Sequence, residues 1–304
     1  MKEIVLKTPA TTANVGPGYD IFAIALHEPY DEIKLTLNDS SRIKIDIIGE
    51  TQNIPTKIDD NAIGLALLEL YKRKKISQGV DIEVNKIMPS GGGLGTTGAS
   101  AAAAIVGMDK LLGLNLSSNE LIDIARMGEI ASGGSPHADN VAASILGGFV
   151  LIKSYSPIDV LKLDIPEFPI VLAVIKKSIR TTRGFITYEI GQEKLKEQMA
   201  RCARVIHAIH TKDIEEFGKA INVDYIAEPV RGSAIPRYYE TKKKVIDAGA
   251  YGCTISGGGS SVIAFCSKEK QEEVAQLFEK NFGNDPYYVK TIQSFTCNKG
   301  IQEI

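Results

Sequence analysis

The chain has 304 residues, 44% of them hydrophobic and 24% charged, and a formal net charge of −2. This length allows one large domain or two of ordinary size, with a full hydrophobic core. The nearly balanced charge argues against nucleic acid or an anionic membrane as a partner. The sequence contains no apolar stretch long enough to span a bilayer and starts without a signal peptide's apolar segment, so we expect a cytoplasmic protein.

The cysteines favour the same compartment. They are Cys202, Cys253, Cys266 and Cys297, which lie far apart and form no C-x-x-C pair. This spacing predicts reduced thiols rather than disulfides or a metal site.

The first half of the chain is predicted to contain strands followed by helices. Alternating hydrophobic residues predict strands at residues 4–7, 32–37, 43–48, 80–84 and 148–152, and residues 21–26 fit a strand or a buried turn. Helical spacing predicts helices at residues 62–72 and 97–112 and a third one capped by Ser117 or Ser118. Residues 8–20 hold two prolines and two glycines and are expected to form an irregular loop. Strands 32–37 and 43–48 are expected to be antiparallel and joined by a turn at residues 38–41.

The pattern changes from about residue 153, which indicates a second lobe. The predicted elements are a strand at 169–175, helices around 195–209, 214–221 and 238–248, strands at 253–255 and 262–265, a helix at 272–282 and a strand at 287–292. This order is that of a split βαβ arrangement. We therefore predict an α+β fold of two lobes, divided into domains 1–155 and 156–304.

One glycine-rich stretch, residues 89–100, lies between a predicted strand and a predicted helix. It reads Pro-Ser-Gly-Gly-Gly-Leu-Gly-Thr-Thr-Gly-Ala-Ser and continues into a run of alanines. Bare main-chain amides, together with the free N–H groups and the dipole of a helix N-terminus, predict a phosphate site. The stretch is not a Walker A loop, and the dinucleotide fingerprint would need an acidic residue about 20 residues further on, which is missing. The stretch also fits a simple turn.

Two other loops lie near the ends of predicted strands, at residues 8–20 and 256–261. Together with residues 89–100 they come from both predicted lobes. A cleft between lobes is the commonest place for a small ligand.

Residues 8–20, 89–100 and 252–261 resemble, in order along the chain, the first, second and third motifs of the GHMP kinases, the family of galactokinase, homoserine kinase, mevalonate kinase and phosphomevalonate kinase. Residues 9–20, 137–140 and 228–232 are more narrowly similar to the homoserine kinases. The resemblance covers essentially the whole chain. It implies an N-terminal ribosomal-protein-S5-like lobe and a C-terminal ferredoxin-like lobe, with ATP and the substrate bound between them, usually in a homodimer.

The resemblance places the phosphates of ATP on the glycine-rich stretch. The residues implied in ATP binding are Pro89, Ser90, Gly91, Gly92, Gly93, Leu94, Gly95, Thr96, Thr97, Gly98 and Ala99. Thr96 or Thr97 and Glu129 would hold Mg²⁺, because a hydroxyl and one carboxylate, completed by phosphate oxygens and water, commonly hold this ion beside ATP. The sequence pattern alone favours an acid on a helix surface for Glu129, and the glycine-rich stretch together with the resemblance reverses that preference.

A free amino acid needs a carboxylate for its ammonium group and a cationic fork for its carboxylate. The resemblance assigns these roles to Asp20 and Arg231. The other implied substrate residues are Asn14, His137, Asn140, Thr181, Arg183 and Gly257. Asn140 would bind the attacking hydroxyl. The implied catalytic residues are Asn140, Glu129 and Thr97. The alternatives are that Asp20 caps a turn, Arg231 forms a surface ion pair and His137 fills a loop.

Five positions depart from the family pattern. Thr96 and Thr97 stand where serines are usual and keep both hydroxyls. Gly98 stands where alanine is usual, which loosens the start of the helix by roughly 1 kcal/mol. Ser260 replaces a proline of the third motif, which leaves the stiffness of that loop open. Phe185 stands where homoserine kinases usually carry a second substrate arginine, and Arg183 or Arg180 could take over that contact.

The resemblance implies transfer of a phosphoryl group from ATP to the side-chain hydroxyl of L-homoserine, which gives O-phospho-L-homoserine in threonine biosynthesis. The alternatives are a related kinase for another small alcohol, such as shikimate or mevalonate, and a nucleotide-binding regulator without catalysis. Shikimate and mevalonate have no ammonium group for Asp20 to bind. The presence of Thr96, Thr97 and Glu129 argues against a regulator.

Overall fold

A computed structural model describes residues 2–49, 54–177 and 189–304 of the chain. The strands are β1 (Glu3–Ala13), β2 (Phe22–Asn38), β3 (Ile43–Gly49), β4 (Gly79–Lys86), β5 (Phe149–Tyr155), β6 (Ile158–Leu163), β7 (Pro169–Ile175), β8 (Gly252–Ile255), β9 (Val262–Phe265), β10 (Tyr288–Phe295) and β11 (Gln302–Glu303). The helices are α1 (Ala62–Lys74), α2 (Thr96–Leu112), α3 (Ser118–Ala125), α4 (Ile130–Gly133), α5 (Asp139–Leu146), α6 (Gln192–Thr211), α7 (Ile214–Ile221), α8 (Glu228–Ser233), α9 (Tyr238–Asp247) and α10 (Gln271–Phe282).

Seven of the described strands form the first sheet. Its order is β11-β1-β2-β4-β3, and β5 pairs with the start of β2 and with β6. Successive residues of β2 face two different cores: Ala23 packs in the core under the helices, whereas Phe22 and Ile24 pack towards the second sheet. This alternation follows from the two-residue period of a strand and lets one sheet hold both halves of the molecule together.

Strand β1 is longer than predicted, because residues 8–13 pair with β2 instead of forming a loop. Pro9 lies opposite Tyr30 and Thr11 opposite Ala25, with a shift of register between them. A proline has no N–H for the ladder, and such an irregularity is where a strand tolerates one. The irregular loop therefore begins at Asn14, and the predicted strands 21–26 and 32–37 are parts of the single strand β2.

The expected direct pairing of strands 32–37 and 43–48 is wrong. Strand β4 lies between them, antiparallel to β2 and parallel to β3. The two strands still run in opposite directions. Local sequence predicted the turn between them, but the choice of neighbour depends on β4, which follows after helix α1.

Helix α2 confirms the helix predicted after the glycine-rich stretch, and it begins one residue earlier, at Thr96. Its alanines at residues 101–104 and Ile105 are fully buried. Small side chains let the helix lie close against the sheet, which fixes the direction of its N-terminus. Helix α3 begins with the predicted cap, since Ser117 and Glu120 form a capping box.

The second sheet has the order β10-β7-β9-β8, with all pairs antiparallel. This is the split βαβ arrangement predicted from the sequence, and the α+β fold class is confirmed. The division into domains 1–155 and 156–304 stays a prediction. Strand β6, beyond residue 155, pairs with β5 in the first sheet, and β11 pairs with β1 there.

The two sheets share one hydrophobic core, which brings their loops together. Phe22 and Phe149 of the first sheet pack in the same cluster as Leu172 and Ile263 of the second. Helices α6 and α7 add Val205 and Phe217 to that cluster. The loops at the ends of β1, β4 and β8 therefore meet at one place.

Candidate active site

The glycine-rich loop (residues 89–95) joins β4 to α2. Its backbone has a positive φ at Gly91, Gly93 and Gly95, of 78°, 85° and 66°, a region that residues with a Cβ rarely enter. Gly95 is the N-cap of α2 and brings no side chain to the N–H groups of the first turn. Those amides face the site as a ready position for an anion.

The loop at residues 256–261 packs directly against the glycine-rich loop. Ser256 Oγ donates to the Gly93 carbonyl at 2.9 Å, and the Ser261 N–H donates to the Gly92 carbonyl at 3.1 Å. A Cβ at Gly93 would lie 2.3 Å from the Ser256 carbonyl oxygen. The two glycine clusters thus support each other, and neither has room for a side chain at this contact.

A cavity opens in front of the N-terminus of α2. Part of its lining is apolar and comes from Ile47, Ile54, Pro55, Ile63 and Val84. Another part is polar. The predicted ATP residues that line the cavity are Ser90, Gly91, Gly93, Leu94, Gly95, Thr96 and Thr97. An apolar pocket with a few convergent polar groups is typical of a site for a small ligand.

A buried ion pair, which the sequence analysis missed, supports the glycine-rich loop from below. Lys86 Nζ lies 2.5 Å from Asp31 Oδ2, and the two side chains are 4% and 0% exposed. Lys86 Nζ also donates to the Thr96 carbonyl at 3.4 Å and to Ser100 Oγ at 3.2 Å. The other oxygen of Asp31 accepts from the main-chain N–H groups of residues 87 and 88, both at 2.8 Å. One ion pair therefore holds both the entry to the loop and the first turn of α2.

The signal that could have found this pair is the alternation of β4. Its buried residues are Gly79 and Val80, Ile82, Val84 and Lys86, so a lysine continues the inward-facing series. A charge at such a position needs a buried partner.

Glu129 ends the 3₁₀ turn Arg126–Glu129 and reaches the start of α2. Its side chain is largely buried, and a Cβ at Gly98 would lie 2.9 Å from Glu129 Oε1. The carboxylate therefore packs against the bare Cα of Gly98, the position at which the sequence departs from the family pattern. Its burial and this contact argue against the alternative of an acid on a helix surface.

The hydroxyl-bearing residues Thr96 and Thr97 line the same cavity as Glu129. A hydroxyl and a carboxylate beside a phosphate site make up a donor set that fits Mg²⁺. Within the described residues, no group of three or more His, Cys, Asp or Glu side chains could hold a metal ion. A metal at Glu129 would accordingly take further oxygen ligands from a nucleotide and from water.

Asn140 lies in the first turn of α5 and also lines the cavity. Its Oδ1 accepts a hydrogen bond from Thr11 Oγ1 at 2.7 Å. Its main-chain N–H and its Nδ2 donate to Asp139 Oδ1, at 2.8 and 3.4 Å. Residues 139 and 140 begin helix α5, which fixes the position of the amide.

A second group, which we call the amino-acid cluster, consists of Asn14, Asp20, His137, Arg231 and Gly257. The Gly257 carbonyl accepts from Asn14 Nδ2 at 2.9 Å and from Arg231 Nη1 at 3.0 Å. Gly257 also lines the cavity, so the amino-acid cluster adjoins the predicted phosphate site at this residue. Arg231 is 8% exposed, which argues against the alternative of a surface ion pair.

Asp20 and His137 come together on the other side of the cluster. His137 Nδ1 lies 3.6 Å from Asp20 Oδ1, and the Asp20 N–H donates to Asn14 Oδ1 at 3.0 Å. The Asp20 carbonyl accepts from the Tyr155 hydroxyl at 2.6 Å. Burial raises the pKa of Tyr155 above its ordinary value, so this hydroxyl remains a donor at neutral pH.

A buried polar network, also missed in the sequence, links the elements that carry the amino-acid cluster. Gln198 Nε2 donates to the Pro17 carbonyl and to Asp224 Oδ1, both at 2.9 Å, and its Oε1 accepts from the Tyr225 N–H at 2.8 Å. Asp224 Oδ2 accepts from the N–H groups of residues 227 and 228 at the start of α8. The helix that carries Arg231 is therefore tied through Gln198 to the loop that carries Asp20.

The structure thus brings most of the predicted site residues together. Four of the predicted ATP residues, Pro89, Gly92, Gly98 and Ala99, are buried and do not line the cavity. Thr181 and Arg183 lie outside the described residues, as do Arg180 and Phe185. The roles of all these residues remain predictions.

Comparison with known proteins identifies the class. The family model described as the GHMP kinases N terminal domain matches residues 61–148, and the model described as GHMP kinases C terminal matches residues 205–284. The chain belongs to the GHMP kinase family, as its three motifs predicted.

The particular relatives are homoserine kinases. The homoserine kinase of Methanococcus vannielii is 36% identical over 293 residues, which cover 95% of this chain and 96% of the relative. The homoserine kinase of Chlorobium phaeobacteroides is 33% identical over 297 residues, covering 93% and 92%. The crystal structure of homoserine kinase from Cytophaga hutchinsonii superimposes with a TM-score of 0.91 at 32% identity, over 100% of this chain and 98% of the other.

Two further observations concern the sequence expectations. The four cysteines are free thiols. Among the residues that the structure describes, no helix has the length and hydrophobicity needed to cross a membrane.

Proposed function

We propose that the protein acts as a homoserine kinase, which transfers the terminal phosphoryl group of ATP to the side-chain hydroxyl of L-homoserine. The observation that carries the proposal is the junction of the two sides of the site. Asn140 and Gly257 line the cavity at the glycine-rich loop, and the Gly257 carbonyl accepts hydrogen bonds from Asn14 and Arg231 of the amino-acid cluster. Similarity to homoserine kinases over more than nine-tenths of the chain supports the same activity.

On the nucleotide side, the apolar part of the cavity lining accommodates the adenine and the amides at the start of α2 bind the phosphates. The family implies Mg²⁺, and a hydroxyl of Thr96 or Thr97 and the Glu129 carboxylate would hold it. When bound, the ion neutralises negative charge on the phosphates.

On the acceptor side, Asp20 binds the ammonium group of homoserine and Arg231 its carboxylate. The guanidinium has five N–H groups in a fixed plane, and the bond to Gly257 sets the direction of that plane. Asn14 and His137 add hydrogen bonds, and the family resemblance implies two further contacts, by Thr181 and Arg183, which lie outside the described residues. A substrate without an ammonium group would leave Asp20 without a ligand.

In the reaction, the hydroxyl oxygen of homoserine attacks the terminal phosphorus while the bond from that phosphorus to the bridging oxygen of ADP breaks. The Asn140 amide orients the attacking hydroxyl, but an amide does not take up its proton at neutral pH. The proton leaves to a phosphate oxygen or to water. The chain contributes mainly position and a fixed electrostatic environment.

The test is an ADP-release assay with homoserine and two substrates that each lack one pole. The compound 4-hydroxybutyrate lacks the ammonium group and 3-aminopropan-1-ol lacks the carboxylate. We expect kcat/KM for each to fall at least about tenfold below that for homoserine, because each loses one charge-assisted contact. Faster turnover of shikimate or mevalonate would contradict the proposal, as would ATP binding without transfer to any alcohol.

From the same similarity we propose that the protein works in threonine biosynthesis, in the cytoplasm and as a homodimer, without nucleic acid or membrane as a partner. Light scattering of the purified protein tests the homodimer.

A further inference from the structure

Thr11 of strand β1 contacts both sides of the site. Its side chain is fully buried, and its hydroxyl donates to Asn140 Oδ1 at 2.7 Å. Its main-chain N–H donates to the Leu94 carbonyl at 3.1 Å. A Cβ at Gly95 would lie 1.9 Å from Thr11 Oγ1 and 2.7 Å from Asn140 Oδ1. The hydroxyl therefore lies between the glycine-rich loop and the side-chain amide of Asn140.

The contacts of Asn140 define which end of its amide points where. An amide has one accepting end and one donating end, and a half-turn of the side chain exchanges them. A carboxylate oxygen accepts hydrogen bonds, so Asp139 Oδ1 selects the Nδ2 end at 3.4 Å. The Thr11 hydroxyl then meets the Oδ1 end, beside Gly95.

We infer that Thr11 is a positioning residue for phosphoryl transfer: its hydroxyl and Asp139 Oδ1 together hold the Asn140 amide with its oxygen towards the glycine-rich loop. The nitrogen end donates one N–H to Asp139, and its second N–H is left to donate to the oxygen of the acceptor alcohol. The main-chain N–H of Thr11 also donates to the Leu94 carbonyl. Thr11 therefore sets the distance between the Asn140 amide and the glycine-rich loop. This inference rests on the proposed function for the role of Asn140.

The test compares Thr11→Val, which keeps the shape of the side chain but loses the hydroxyl, with Thr11→Ser, which keeps the hydroxyl. We expect kcat of Thr11→Val to fall about a hundredfold, because a small misplacement of a reacting group has an effect of that size. KM for ATP and for the alcohol should stay within about threefold, since ground-state contacts remain. Thr11→Ser should keep kcat within about threefold of wild type.

A double-mutant cycle with Asn140→Ala separates positioning from a general loss of structure. If Thr11 acts through Asn140, Thr11→Val has little further effect on kcat in the Asn140→Ala background. An equal loss of kcat in both backgrounds would overturn the inference, and so would full kcat in Thr11→Val. If Thr11→Val does not fold, Thr11→Ala and Thr11→Ser provide the same comparison.

All rates are measured with whichever of homoserine, mevalonate, shikimate and galactose the wild type phosphorylates fastest. Preference for another alcohol would overturn the homoserine proposal and still allow the Thr11 comparison. Wild-type turnover of homoserine with an unimpaired Thr11→Val would overturn the Thr11 inference alone. A wild type that phosphorylates none of the four would overturn both.

Discussion

The proposed nucleotide side and the proposed amino-acid side of the site are built from different parts of the chain. The nucleotide side is mainly main chain: the glycine-rich loop and one turn of α2, supported by Lys86 and Asp31. The proposed amino-acid side consists mainly of side chains from the loop after β1, the segment before α5 and helix α8, and Gln198 ties the first of these to the last. Main-chain amides bind any phosphate, whereas side chains of defined charge select one substrate. The nucleotide side should therefore be sensitive to added atoms and the amino-acid side to lost ones.

The largest expected effect comes from adding a single methyl group at Gly95. In Gly95→Ala the new Cβ would meet Thr11 Oγ1 and Asn140 Oδ1 on a backbone with φ of 66°. We expect kcat/KM to fall by about a thousandfold, because the amides and the acceptor amide both move. Steady-state kinetics and thermal unfolding measure this.

Gly113→Ala is the matched control at the other end of the same helix. Gly113 has φ of 63°, and no atom beyond the adjoining backbone lies within 4 Å of the position of a Cβ. Stability should fall by about 1–2 kcal/mol from backbone strain, while kcat/KM stays unchanged. Similar activity losses in the two variants would mean that strain, and not the contact with Thr11 and Asn140, disables Gly95→Ala.

The next largest effect is expected for Glu129, the carboxylate proposed to hold Mg²⁺ on the nucleotide side. Glu129→Gln removes a negative charge but keeps the shape. We expect the affinity for Mg²⁺ in the presence of ATP to fall about ten- to a hundredfold, with a smaller change in KM for homoserine. A titration of activity against Mg²⁺ measures it. Glu120→Gln, at the exposed cap of α3, is the control. Unchanged Mg²⁺ dependence in Glu129→Gln would remove Glu129 from the proposed metal site.

On the amino-acid side, Arg231→Ala should act on one substrate. We expect KM for homoserine to rise about tenfold to a hundredfold, because a charge-assisted contact is lost, while KM for ATP changes little. Arg204→Ala, which breaks a more exposed ion pair with Glu216, is the control and should leave both KM values unchanged. Equal increases for homoserine and ATP would place Arg231 outside the amino-acid site.

The smallest expected effect tests the network behind that side. In Gln198→Met the hydrogen bonds to Pro17 and Asp224 are lost in a buried place. We expect KM for homoserine to rise up to about tenfold and stability to fall by about 1–3 kcal/mol. Gln276→Met on the exposed face of α10 is the matched control. A loss of stability with no change in the KM for homoserine would limit Gln198 to a structural role.

Local patterns in the sequence predicted a large part of the nucleotide side. The start of α2 was predicted to within one residue of Thr96, because a glycine-rich turn followed by alanines is a signal within a few neighbouring residues. The buried pair of Lys86 and Asp31 escaped prediction because its members are 55 residues apart in sequence. They meet because β2 and β4 are neighbours in the sheet.

The amino-acid side was predicted through a resemblance of short motifs, and the tertiary structure supplied its geometry. Nothing in the local sequence of Gln198 indicates that it bonds Pro17, 181 residues away. The local sequence of Gly257 likewise does not indicate that its carbonyl accepts hydrogen bonds from Asn14 and Arg231. Such contacts depend on how two sheets pack on a shared core.

The sequence by itself determined most of the helices and strands, the glycine-rich loop and the loop at residues 256–261, because turn residues and hydrophobic periods act over a few neighbouring positions. The tertiary structure decided that β1 extends to Ala13, that β4 separates β2 from β3, and that Thr11 reaches Asn140. These features depend on the pairing of distant strands and on burial, which lower the free energy of the chain as a whole and leave little trace in any short segment.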